Sequence, residues 1–266
     1  MIEASPTIPS FQLSRTLEEA RRRSPVFGAL ARDIPYEAKG VLFSEILFLA
    51  AAVGDFRPPQ IVESGRARGQ STYLLGLVFP DTAIVSIERY RGTDDARVAE
   101  ARCRPLARCE LLYGDSNVEL LRQVGEGDVV VIDGPKGWHA IQLALRLLRD
   151  SSPAAVFVHD CYQGLPERTF LDRYVPGAFF SDDPQLEELA NDLDAPCFAT
   201  ARTQGFESWE PHFFDDRQQA SYGPTYACLP HVAGAKYATI LARLSASKTM
   251  SRLGRSLRRR FGGARS

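Results

Sequence analysis

The chain has 266 residues, 44% of them hydrophobic and 24% charged, with a net charge of −1 at neutral pH. That length and apolar content suffice to bury a full core without disulfide or metal staples, which excludes the small staple-dependent classes. The longest uncharged apolar run, Ile46 to Val53, is far shorter than the roughly 18 residues a bilayer span requires, so no membrane crossing is expected.

In chain order, Thr16–Leu17–Glu18–Glu19 has the form of a capping box and predicts a short helix ending near Arg21 to Arg23, ahead of Ser24–Pro25. Residues 1–40 read as a partly helical N-terminal extension. Tyr36 to Val53 predicts a helix closed by Gly54 and the Pro58–Pro59 pair, with Val41, Leu42, Ile46, Leu49 and Val53 at helical spacing. Packing on the core and shaping a ligand mouth both explain such a face.

Next comes IVESGRARGQST (Ile61 to Thr72): an apolar strand end, Glu63, then Gly65 and Gly69, with Ser71 and Thr72 opening a helical run. A glycine turn of this kind admits close backbone approach and leaves free N–H groups at a helix start. The strand AIVSIE follows and ends in Glu88, about 20 to 25 residues on, where such folds place an acid against ribose hydroxyls. The pair reads as a nucleoside pocket. Ala67 stands where a G-x-G-x-x-G turn needs its second glycine, which argues against a nicotinamide dinucleotide. Arg66 and Arg68 add cationic bulk to the turn or instead pair with a ligand carboxylate or an acidic substrate, and the sequence does not choose.

Three more apolar strands, at LLYGDS (111 to 116), DVVVIDGPKGWH (128 to 139) and AAVFVHDCY (154 to 162), each end in an acid or a His–Asp pair. Helical runs fit between them at Gln70 to Phe79, Asp94 to Arg104, Ser116 to Val124 and Trp138 to Arg149. That alternation predicts a parallel sheet, with polar groups gathered at the carboxyl ends of its strands. Past Asp160, Leu165 to Tyr174 and Pro184 to Leu193 read as helices, while CFAT (197 to 200) and TYACL (225 to 229) read as strands of an antiparallel edge. The aromatic span Arg202 to Gly223 reads either as a substrate-lining segment or as a surface loop packing its own rings.

The last segment, Ser247 to Ser266, carries Lys248, Arg252, Arg255, Arg258, Arg259, Arg260 and Arg265 and no acid; set against a total of −1, its seven cations leave −8 on the rest. Met250, Leu253, Leu257 and Phe261 fall at i, i+3, i+7 and i+11, so the tail reads either as solvated chain or as a basic amphipathic helix making peripheral membrane contact. The acidic body offers no basic groove to continue the track, so nucleic acid is not an expected partner. Five cysteines (Cys103, Cys109, Cys161, Cys197, Cys228) without C-x-x-C spacing, and no charged-then-apolar leader, make a reducing cytoplasm the expected compartment.

On these motifs, Val41 to Asp160 resembles the class I S-adenosylmethionine-dependent methyltransferases, and within them a bacterial subgroup of small-molecule O-methyltransferases near the cephalosporin-hydroxylase-like and catechol-type enzymes. The resemblance implies a Rossmann-like doubly wound α/β fold, with a mostly parallel sheet and an antiparallel C-terminal edge. It makes 41–246 the S-adenosylmethionine-binding domain between the N-terminal helical extension and the basic tail of 247–266. It also implies cofactor contacts from Glu63, Gly65, Gly69, Ser71, Glu88 and Asp115, and an acceptor that is a small molecule or glycan. In catechol-type enzymes a divalent ion such as Mg²⁺ is held after the fourth and fifth strands. Here Asp133 and Asp160 fit those positions, while Cys161 stands where an Asn is usual, and a thiol serves a hard ion poorly.

The candidate catalytic set is Asp133, Lys136, His139 and His159, beside Asp160. With an ion bound, Asp133 and Asp160 are its oxygen ligands and His139 or His159 completes the shell. Without one, His139 or Lys136 is the candidate base. Two other classes stay open at this stage, a non-catalytic scaffold docking through the tail and a nicotinamide-dependent oxidoreductase, and association into a homodimer is open as well.

Overall fold

The computed structural model describes residues 11–37, 40–203 and 225–261. Its elements are α1 Leu13–Arg32, α2 Phe43–Val53, β1 Gln60–Ser64, α3 Gln70–Val78, β2 Ala83–Glu88, α4 Asp94–Cys103, β3 Cys109–Tyr113 and α5 Ser116–Gln123, followed by β4 Val129–Ile132, α6 Trp138–Asp150, β5 Ala155–Val158, α7 Pro166–Tyr174, β6 Phe179–Phe180, α8 Pro184–Thr203, β7 Ala227–Pro230 and α9 Tyr237–Phe261. The strands form one sheet in the order β3-β2-β1-β4-β5-β7-β6. β1 to β5 run parallel and β7 lies antiparallel between β5 and β6. The expected mostly parallel, doubly wound sheet with an antiparallel C-terminal edge is thus present.

Side-chain alternation explains why both faces carry helices. Ile61, Val129, Val131 and Phe157 pack on one side with α2 and α3, while Val62, Val130, Ile132 and Val156 pack on the other with α6 and α9. α6 shows the physics of one such helix. Ile141, Leu145 and Leu148 are almost fully buried, each contributing about 1.5–3 kcal/mol of transfer free energy. Leu145→Ala would cost about 2–5 kcal/mol. The chain order reverses between β1 and β4, and their carboxyl ends open the crevice where sheets of this kind take ligands.

Four expectations need correction. α1 does not stop before Pro25 but runs through it to Arg32, because Ala20, Phe27 and Ala31 are buried against α2 and α8, and that packing outweighs the lost hydrogen bond. α2 begins at Phe43 rather than Tyr36, its start set by Glu45, whose carboxylate reaches back to the Leu42 N–H at 2.9 Å. CFAT is helical, the continuation of α8 through Pro196, with Cys197 fully buried. The edge partner of β7 is instead Phe179–Phe180, a pair too short to signal itself in sequence. Residues 204–224, most of the aromatic span, lie outside the described residues. The tail continues α9 to Phe261, and 262–266 lie outside.

Candidate functional site

The glycine turn after β1 is folded tightly against the end of β4. Gly65 has φ +89°, and a Cβ placed there would sit 2.5 Å from the Gly134 nitrogen and 2.7 Å from the Asp133 carbonyl carbon. Glycine is therefore required for strand-end packing before any ligand arrives. Gly69 (φ +76°) caps α3, where a Cβ would press to 3.0 Å on Ala99 of α4. Beneath the turn, the Glu63 carboxylate is fully buried. It accepts from the hydroxyls of Thr72, Ser86 (2.6 Å) and Ser71, while burial raises its pKa. Glu63 and Ser71 thus support the turn from below.

Glu88, at the end of β2, reaches over the same turn: one carboxylate oxygen accepts from the Ala67 N–H at 2.9 Å and the other from Arg89 N–H at 2.7 Å. Asp115 is an exposed N-cap of α5 that accepts from Asn117 N–H at 2.8 Å. Gly114 N–H donates to the Glu88 carbonyl at 2.9 Å and keeps these two rim acids on neighbouring strands.

The two turn arginines have structural partners. Arg66 is 1% exposed; its guanidinium donates to the carbonyls of Ser86 (2.5 Å) and Leu112 (3.4 Å) and lies 4.8 Å over the Tyr113 ring. Arg68 pairs with Glu37 at 2.7 Å, which Arg102 also meets at 2.8 Å. Gln70 closes the recess above: its carbonyl oxygen accepts from Glu37 N–H and its amide donates to the Val41 carbonyl at 3.3 Å. The recess, lined by Gly65, Ala67, Ser71 and Asp133 among others, measures about 10 Å³, room for about one water.

Directly beside the turn, the ends of β4 and β5 bring Asp133, Lys136, His159 and Asp160 together. Lys136 Nζ lies 2.5 Å from Asp133 Oδ1 and 2.7 Å from Asp160 Oδ2. His159 Nδ1 lies 2.6 Å from Asp133 Oδ1 and 3.1 Å from Asp160 Oδ1, and its Nε2 lies 3.0 Å from Glu45 Oε1. Burial opposes charge on His159, but the carboxylates of Asp133, Glu45 and Asp160 outweigh it and raise its pKa well above the ordinary imidazole range. Both ring nitrogens then carry a proton and face carboxylates, although Nε2 makes no hydrogen bond of good geometry among the described residues. The 3.1 Å between Lys136 Nζ and His159 Nδ1 is accordingly a juxtaposition of two donors sharing Asp133, not a hydrogen bond between them.

The same contacts set the partners' charges. Burial of Asp133 would raise its pKa, yet His159 and Lys136 hold it down at about 2, and Asp160 is lowered further for the same reason. Burial likewise disfavours the Lys136 ammonium, but Asp133 and Asp160 more than offset it and raise its pKa. This corrects the role of Lys136: a lysine held charged by two carboxylates is an electrophilic cation rather than a base. His139 is corrected as well. It is the second residue of α6 and exposed, because the face carrying Trp138, Ile141 and Leu145 turns inward and leaves position 139 in solvent. Cys161 is buried, with its thiol pushed up to about 12 by burial, and is inert.

Two members of the site escaped sequence reasoning. Glu45 is fully buried in the first turn of α2, and burial raises its pKa against the pull of His159. Its signal was an acid inside the otherwise apolar stretch FSEILFLAAAV, which is costly unless a cation waits opposite. Tyr226 stacks edge-on to His159 at 5.1 Å, its hydroxyl buried without a hydrogen-bond partner among the described residues. Nothing in the sequence sets it apart from a core aromatic.

No family model and no curated protein matches this chain. Solved structures do align with it. Cofactor-bound Rv0187 from MTB is 20% identical over 79% of this chain and 89% of that one, with a TM-score of 0.43. The SAH-bound methyltransferase PaMTH1 of Podospora anserina is 14% identical over 86% and 90%, with a TM-score of 0.42. The O-methyltransferase TomG of Streptomyces achromogenes, involved in Tomaymycin synthesis and in complex with SAM, is 16% identical over 87% and 93%, with a TM-score of 0.38. At these values the likeness carries no argument about the chemistry of this chain, which rests on its own residues.

Proposed function

We propose that this chain is an S-adenosylmethionine-dependent methyltransferase acting on an oxygen of a small molecule or glycan. The observation that carries the reading is contiguity: the glycine turn that would cradle the donor packs backbone to backbone on Asp133–Gly134, so a donor on the turn presents its reactive end to the Asp133–Lys136–His159–Asp160 cluster. Groups suited to the donor are present at the rim of the turn. Glu88, half-buried above the turn, retains acceptor capacity on both oxygens for ribose hydroxyls, and the first turn of α3 leaves N–H groups free.

When bound, the sulfonium supplies an already activated methyl group, so the protein needs to supply orientation, electrostatics and a route for one proton. With the donor bound, an acceptor oxygen would take the methyl carbon as the carbon–sulfur bond breaks to a neutral thioether, and its hydroxyl proton would depart. That proton leaves to water at the mouth of the cluster, where the Asp160 side chain is 36% exposed. Lys136 and His159, both cationic, stabilise negative charge on the acceptor oxygen as it develops.

Calorimetric titration with S-adenosylmethionine and, separately, NAD tests the reading. Binding of the sulfonium compound alone is expected, and binding of NAD alone would overturn it. The basic tail is proposed to aid peripheral contact with anionic membranes and to take no part in turnover, so a chain lacking residues 247–266 should methylate in solution at an unchanged rate.

A further inference from the structure

We propose that the ammonium of Lys136 is the resident cation of the Asp133–His159–Asp160 cluster, so that this site works without the divalent ion that catechol-type enzymes hold at the matching positions. The inference rests on the methyl-transfer reading only for what the cation does, since its place is a matter of geometry. Asp133, His159 and Asp160 each offer a ligand atom within 4.8 Å of the others, the spread of an ion site. Lys136 Nζ sits among them, 2.5 Å from Asp133 and 2.7 Å from Asp160.

Lys136 holds the place an ion would take, and three features show the surrounding groups arranged around the ammonium rather than around an ion. His159 turns Nδ1 to Asp133 at 2.6 Å and Nε2 to Glu45 at 3.0 Å, so both ring nitrogens face carboxylates already in place. Asp133 Oδ1 and His159 Nδ1 lie 2.6 Å apart, whereas adjacent ligands of an octahedral ion bound at about 2.1 Å sit about 3 Å from each other. The position where an Asn would add an oxygen ligand holds Cys161, whose thiol is turned to the His159 carbonyl at 3.7 Å. A dication placed between Asp133 and Asp160, where the ammonium sits, would have to expel it.

In methyl transfer the ammonium then does what an ion would do. Two of its hydrogens go to Asp133 and Asp160, and the third meets the acceptor oxygen, lowering the pKa of its hydroxyl and stabilising the oxyanion. The proton leaves to water at the mouth of the cluster as before.

Mn²⁺ titration followed by electron paramagnetic resonance, on the wild type and on Lys136→Met, tests the assignment. Removing the ammonium leaves an excess carboxylate in a cation-shaped cage. The variant is expected to bind one Mn²⁺ about a hundredfold or more tighter than the wild type, and to lose it on a further Asp160→Asn. Wild-type calorimetry with S-adenosylmethionine should give the same affinity in Mg²⁺ and in EDTA. Stoichiometric Mn²⁺ binding by the wild type as tight as by the variant would overturn the proposal, and so would absence of binding in both. If Lys136→Met fails to fold by near-ultraviolet circular dichroism, Lys136→Gln takes its place and the wild-type titration still decides. Failure of the wild type to bind S-adenosylmethionine under either condition would strike the methyl-transfer reading and leave the Mn²⁺ result to decide the cation.

Discussion

Asp194 on α8 offers a quantitative test of how this core treats charge. Its side chain is 1% exposed, one oxygen accepts the Ser44 N–H of α2 at 3.0 Å, and the other is buried with no hydrogen-bond partner among the described residues. Burial raises its pKa from the ordinary 3.8 to about 7, with the Glu45 carboxylate adding to the rise and the Ser44 and Phe43 donors opposing it. Between pH 4 and 7 the native chain holds a proton that the unfolded chain has lost, so the contribution of this carboxyl to stability falls as pH rises through that window and is flat above it. At 1.36 kcal/mol per pKa unit, about 3 units make the loss about 4 kcal/mol, an upper figure. Asp194→Asn keeps an oxygen for the Ser44 N–H and removes the titration. Urea unfolding of both proteins from pH 5 to 8.5 should show the variant gaining on the wild type by about 3 kcal/mol, the share of about 2 remaining pKa units, as pH rises to about 7, and no further above it. Asp133 titrates at about 2, outside this window, and His159, common to both proteins, cancels in the difference. Stability curves that run parallel across the window would refute the reasoning.

Three further outcomes are expected. Gly65→Ala places a Cβ 2.5 Å from backbone at a φ of +89°; it should cost about 2 kcal/mol or more of stability, read as a lowered melting temperature, and an unchanged melting temperature would count against the packing role. Glu88→Ala should weaken S-adenosylmethionine by about 1–3 kcal/mol in calorimetry through lost hydroxyl contacts to a charged acceptor, and an unaltered dissociation constant would remove Glu88 from the ribose site. Gln70→Ala deletes the side chain that ties Glu37 and Val41 across the recess. Because a closed recess taxes binding, the variant should bind S-adenosylmethionine about three- to tenfold tighter, and weaker binding would show Gln70 to be a ligand contact instead.

The sequence by itself determined most of the sheet. Runs such as VVVI and AVFV, each ending in an acid or a His–Asp pair and separated by helices of period 3.6, leave little choice but parallel strands with polar carboxyl ends, since both faces of such strands must be covered. Asp133, Lys136, His159 and Asp160 were legible for the same reason, because strand termini are local features and a parallel sheet brings them side by side. What local pattern could not supply was a contact between distant segments. The course of α1 through Pro25 and of α8 through Pro196 followed from burial against other helices, which propensity does not contain. Glu45 joined the site only because α2 packs its first turn against the end of β5. Arg66 and Arg68 changed from ligand candidates to braces once Ser86, Leu112 and Glu37 were seen to face them. The charge on Lys136 was decided in the same way. A lysine in a loop reads equally well as base or as cation, and the tertiary structure chose by setting two carboxylates within hydrogen-bond reach of its ammonium, a free energy that exists only after the strands have met.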